Sequence, residues 1–221
     1  MLGLKHALDA DHIVAVTTII SHSNSLLRSV LVGLSWGIGH NLTLFAVGFA
    51  VLVFKLTIPD RLALSMEFIV GVVLVILGAP LIRQLLVGRT HVHLHQHGDK
   101  RHLHSHAHDE TLGHEHRHIG RSLLVGMVHG LAGSGVLILL VVSIMASVSQ
   151  GLFFLLFFGV GSILGMVALS GLIGLPFRLT ARFSLRLNLW VQGVAGLISI
   201  LLGLSIMWQT GFVDGLFLPI T

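Results

Sequence analysis

Residues Ser29 to Phe54 read SVLVGLSWGIGHNLTLFAVGFAVLVF, 26 residues without one Asp, Glu, Lys or Arg. About 20 apolar residues in a helix cross the hydrocarbon core of a bilayer, so this stretch reads as a membrane span. Working outward, five more apolar segments appear, at about Leu2–Ile20, Leu64–Val87, Ser122–Ala146, Gly151–Leu175 and Leu187–Trp208. The chain has 221 residues, of which 54% are hydrophobic and 10% charged, and its mean hydropathy is +0.93. A soluble domain carries about 25% charged residues, so this chain lacks the charge to coat a globule in water. That excludes a soluble enzyme, a secreted disulfide scaffold and a disordered protein. With no cysteine there is no disulfide, thiolate metal site or thiol relay. The net charge of +4 belongs to membrane topology and implies no nucleic acid.

The first segment is the weakest. It is short and contains Lys5, His6, Asp9, Asp11 and His12. It reads either as a partly broken span or as the remainder of a longer helix that begins before Met1. Acidic residues interrupt it where a signal peptide would need an apolar core. Loops on one side carry Arg28, Arg83, Arg89, Lys100, Arg101, Arg117, Arg121, Arg178, Arg182 and Arg186, against Lys5, Lys55 and Arg61 on the other. The positive-inside rule places the first set in the cytoplasm and both termini outside.

The halves resemble each other. Gly3-Leu4-Lys5-His6-Ala7-Leu8 matches Gly126-Met127-Val128-His129-Gly130-Leu131. Trp36-Gly37-Ile38-Gly39 matches Phe158-Gly159-Val160-Gly161, and Gly71 and Gly78 match Gly196 and Gly203, with Glu67 opposite Gln192. The expected fold is an all-α integral membrane protein of six transmembrane helices in a 3+3 inverted repeat. Residues 1–88 and 121–221 form its halves, and 89–120 a disordered cytoplasmic loop. Inverted repeats with a midplane site are a transporter design. The pairs Gly33/Gly37, Gly126/Gly130 and Gly161/Gly165 read as close-packing faces.

Four histidines and two aspartates fall inside the spans: His6, Asp9, Asp11, His12, His40 and His129. An aspartate near the bilayer centre costs roughly 2.5–3.5 kcal/mol even on the lenient insertion scale. A divalent cation is the partner that suits both carboxylate and neutral imidazole. On a continuous helix His6, Asp9 and His12 share an arc of about 120°. Asp11 lies off that arc, so either the helix unwinds there or Asp11 orients an imidazole from outside the ligand set. His40 and His129 each read as either a ligand or a buried core histidine, and His22 as a surface histidine.

HALDADH, residues 6–12, has the pattern His-x4-Asp-His and resembles the signature of the nickel/cobalt transporter family, within it the branch of UreH-type, urease-accessory transporters. GLSWGIGHNLTLF resembles that family's second motif, and GMVHGLAGSGVLILL the string opening its second half. The resemblance covers most of the chain. It implies that His6, Asp11, His12 and His40 select the metal, that the chain lies in a bacterial-type cytoplasmic membrane, and that nickel-enzyme maturation proteins are partners. The acidic second-half motifs of the larger permeases are absent.

Between His91 and His118, 11 of 28 residues are histidine: His91, His93, His95, His97, His102, His104, His106, His108, His114, His116 and His118. Such tracts bind Ni, Co, Zn or Cu(II) without selectivity. The expected function is secondary transport of Ni2+ or Co2+, with Zn2+ a further candidate, and uptake favoured. No catalytic cofactor is expected. Two alternatives stay open. One is a membrane metal buffer or accessory protein without flux. The other is an intramembrane metallohydrolase, although HALDADH lacks the His-Glu-x-x-His spacing of a zinc hydrolase helix.

Overall fold

The computed structural model describes residues 1–21, 23, 25–87, 91–97, 100–106 and 115–217. His22, His108 and His114 lie outside the described residues. Among the described residues, the regular structure is helical apart from one hairpin. Among the described residues, four helices are long and apolar enough to span a membrane: α3 (Leu26–Phe54), α4 (Asp60–Val87), α7 (Val148–Phe183) and α8 (Leu185–Trp208), the last continued by a wider π-helical turn, Gln209–Val213. Large apolar side chains such as Phe45, Phe49, Phe153, Phe157, Leu172 and Trp190 remain exposed on them. In water such a surface would aggregate; in lipid it is the solvent-facing side. The chain is a multi-pass membrane protein.

The first and fourth apolar segments are not continuous spans. The first divides into α1 (Leu2–His6) and α2 (Ala10–Ile20), and the fourth into α5 (Glu115–His129) and α6 (Ser134–Ser143). Asp9, with extended backbone angles, occupies the N-cap of α2, a position carboxylates favour. The second break runs over Gly130–Gly133, where Gly133 takes φ +56°, a conformation cheap only for glycine. His6 and His129, paired by the sequence repeat, are each the last residue of a half-helix.

Among the described residues of the 89–120 stretch there is one hairpin. Strands β1 (His91–His97) and β2 (Lys100–His106) pair antiparallel, with His93 opposite His104 and His95 opposite His102. Helix α5 already begins at Glu115. Strict alternation of His with other residues is the period-two pattern of a strand.

Helix α4 packs along α8, α3 along α7, α5 against α3 and α1 against α7. Glycine allows these approaches. A Cβ on Gly126 would sit 2.2 Å from the Trp36 carbonyl oxygen, and one on Gly3 would lie 2.0 Å from that of Phe158. Gly71 abuts the Gly203 carbonyl and Gly203 that of Gly71; Gly78 and Gly196 are related in the same way. The small-residue faces read from the sequence are therefore helix contacts. Buried hydroxyls bridge the helices, Ser122 donating to Val32 O at 2.7 Å and Ser199 to Leu74 O at 2.7 Å. The main apolar core gathers Ala15, Val16, Ile20, Trp36, Leu74, Met166 and Phe177 around α2.

Candidate metal centre

The break after α1 creates the centre. His6 ends α1, and its carbonyl, left without a full helical partner, accepts the Nδ1–H of His12 at 3.0 Å. This bond leaves His12 Nε2 as a lone-pair donor. His6 Nδ1 lies 3.1 Å from Asp9 Oδ2. If that nitrogen carries the proton, His6 Nε2 is a lone pair too. It faces His40 Nε2, on α3, at 2.8 Å. A carboxylate or carbonyl behind an imidazole fixes its tautomer and orientation in the way that prepares a metal ligand. One ligand nitrogen from each of His6, His12 and His40 lies within 4.8 Å of the other two, and all three residues are buried. A tetrahedral ion with metal–nitrogen bonds of about 2.0–2.1 Å needs nitrogens about 3.3 Å apart, so the 2.8 Å pair need open only slightly around an ion.

Asp9, Asp11 and His12 form a second such group, partly exposed, with Asp11 Oδ2 3.7 Å from His12 Nε2. The two groups share His12. Asp9 and Asp11 also line a cavity of about 400 Å³ together with Ala10, Glu67, Val70, Ala132, Gly133, Leu202 and Ile206. The helix breaks between His6 and Asp9, ahead of Asp11, which lies in the first turn of α2. The arc drawn on a continuous helix therefore does not describe the site, although its three residues do converge. His129 falls outside the three-histidine group. It is fully buried, its ring centroid is 6.0 Å from that of His12, and its Nδ1 is 3.0 Å from Val125 O.

The sequence assigned no role to Trp36, Phe158 or Glu67. Trp36 is fully buried, stacks on His40 at 5.1 Å and 11°, and meets His12 edge-on at 4.6 Å and His129 at 5.6 Å. Phe158, its partner in the sequence repeat, packs on His6 at 5.1 Å. The signal was present: Trp36 precedes His40 by four residues, one helical turn on the same face.

With this geometry, the chain is 39% identical over 219 residues to the urease accessory protein UreH of Bacillus sp. (strain TB-90), covering 98% of this chain and 92% of the relative. The chain belongs to the UreH family. The resemblance read from its motifs is borne out. Residues 56–207 of this UreH-type chain also match the family model described as the cytochrome c biogenesis protein transmembrane region. Lacking cysteine, the chain cannot itself exchange disulfides, so that match speaks for the membrane scaffold. No solved structure matches.

Proposed function

We propose that this UreH-type protein is a secondary transporter that takes up Ni2+, or Co2+, across the cytoplasmic membrane through His6, His12 and His40, with Asp9 and Asp11 at the approach. The observation that carries the reading is the buried group of three imidazoles, each offering a nitrogen within 4.8 Å of the others, inside a chain that spans the membrane. Three neutral imidazoles suit Ni2+, Co2+ and Zn2+. The urease link in the relative's name favours nickel, with nickel-enzyme maturation proteins as partners.

Charge supports this direction. Asp60 and Glu67 lie toward the start of α4, the end next to Lys55 and Arg61, whereas Arg83 is toward its far end. That Glu67, on the cavity wall, sits toward the end of α4 away from Arg83 supports an entrance away from the arginine-rich side, which the positive-inside rule makes cytoplasmic. A cation meets carboxylates outside and imidazoles within. The histidine-rich segment, on the cytoplasmic side, buffers the metal that enters.

A 3+3 inverted repeat is the architecture that fits. Two half-helices end at the repeat-related His6 and His129. Gly3 packs on Phe158 and Gly126 on Trp36, the repeat mates exchanged. Rocking of such halves opens the site to alternate faces.

Total cell nickel, with and without expression, tests the proposal. A rise that His6→Ala abolishes and deletion of residues 91–118 spares supports uptake. A fall with the same dependence means export. A rise removed only by the deletion means a metal buffer without flux and overturns the transporter reading.

A further inference from the structure

We propose that Gln192 is the inner gate of the transport path, holding the cytoplasmic end of α2 shut while the acidic end stands open. The inference rests on the uptake reading above and assigns its conformational state. Helix α2 runs between the two ends of the α4–α8 seam. At its start, Asp11 shares the cavity of about 400 Å³ with Glu67 of α4 and with Leu202 and Ile206 of α8. At its close, Gln192 of α8 donates from Nε2 to the carbonyl of Ser21, the C-cap, at 3.0 Å. Gln192 lies beside the arginine-bearing end of α4: a Cβ on the next residue, Gly193, would touch Leu85, two residues from Arg83. Glu67 and Gln192 are mates in the sequence repeat, and the fold sets them at opposite ends of one half-helix.

Gln192 is 4% exposed, and its Oε1 has no hydrogen-bond partner. Its surroundings are apolar. Ile20 precedes Ser21, Ala195 stands about one helical turn past Gln192, and Leu81 packs on Gly196, all within the main apolar core. An unmatched carbonyl oxygen in such a place is costly, and a leucine or methionine would fill the same volume without it. The cost is relieved once this end opens and water or the cation reaches Oε1. One hydrogen bond is a modest net stabilisation, enough to hold an end closed and weak enough to release it. The packing is also one-sided. Helix α2 meets α4 and α8, whereas its repeat counterpart α6 packs mainly against α3 and α7. A shift of the α4–α8 pair from α2 toward α6 is the movement that parts Gln192 from Ser21 and closes the acidic cavity, as alternating access requires.

The chain has no cysteine, so a single introduced one reports access. Ile20→Cys, at a fully buried position beside Ser21, reports the inner end, and Leu202→Cys reports the acidic cavity. Each full chain is labelled in membrane vesicles with an impermeant maleimide, inside-out vesicles for the first and right-side-out for the second. Gln192→Met keeps the side-chain length and removes the bond; Gln192→Leu is the second variant. With Gln192 in place, the inner cysteine is expected to react slowly and the cavity cysteine fast. Gln192→Met is expected to speed the inner cysteine about fivefold, the factor that one hydrogen bond carries, and to leave the cavity cysteine no faster. An inner cysteine that already reacts fast beside Gln192, or that neither variant speeds, overturns the gate. Equal acceleration of both cysteines is general loosening and overturns it too. Nickel accumulation by the cysteine-free chain keeps the two readings apart. Accumulation that depends on His6, with labelling unaltered by the variants, overturns the gate alone. No such accumulation overturns the transporter reading, and the gate with it.

Discussion

Gly130→Ala tests whether the spacing of the half-helix break sets the geometry of the metal centre. A Cβ at Gly130 would lie 2.4 Å from the His40 carbonyl oxygen, where ordinary contact starts at 3.4 Å. The backbone of α3 at His40, or the turn after α5, must give by about 1 Å. Gly130 does not have a positive φ, so the effect is steric. Overpacking of this kind costs about 1–3 kcal/mol. Metal–ligand distances tolerate only about ±0.2 Å, so a 1 Å shift removes His40 from the ligand set. The expected loss in cobalt affinity is at least about tenfold, or about 1.4 kcal/mol. Gly171→Ala is the matched control, because its Cβ meets Val30 Cγ2 at an ordinary 3.5 Å; it should bind cobalt normally. Both variants are assayed, in a chain carrying Trp190→Phe and Trp208→Phe, by cobalt quenching of Trp36 fluorescence and by thermal melting in detergent. A folded Gly130→Ala protein with parental cobalt affinity would refute the argument.

Other substitutions separate the parts. Asp9→Asn weakens the charge behind His6 Nδ1, 3.1 Å away, and should reduce cobalt affinity about 10- to 100-fold, read as the half-quenching concentration. Trp36→Phe keeps a ring stacked on His40 while Trp36→Leu removes it, so only Leu should lose the aromatic pair energy of about 0.5–1.5 kcal/mol and lower the melting temperature; calorimetry in detergent checks this. Ser199→Ala deletes the 2.7 Å bond to the Leu74 carbonyl and should cost about 0.6 kcal/mol, lowering the melting temperature while metal accumulation is unchanged.

The candidate site was legible because the bilayer makes ionisable residues conspicuous: His6, His12 and His40 stand out in apolar text, and they converge. The breaks were less legible. Helical arithmetic assumes a continuous helix, and HALDADH is interrupted at Ala7–Asp9. Asp9 was a readable N-cap signal, masked by its candidacy as a ligand. Gly130 and Gly133 were readable breakers, masked by an apolar stretch long enough to pass as one span. Trp36 and Phe158 escaped because an aromatic residue in a membrane helix ordinarily faces lipid or core. Only the tertiary fold shows that they border imidazoles. Glu67 was noticed for its repeat position, and its place on the cavity wall depends on how α4 meets α2.

The seam between α4 and α8 has a mechanical consequence. Gly71 with Gly203 and Gly78 with Gly196 bring backbone onto backbone, each glycine within reach of the other's carbonyl. Knobs seated in holes would have to lift out before either helix could turn. The same glycines are such holes: Gly71 receives Met207, Gly78 Ile200, Gly196 Leu81 and Gly203 Val75. The pair is built as a clasp, and a single added methyl group at any of these glycines would wedge it open.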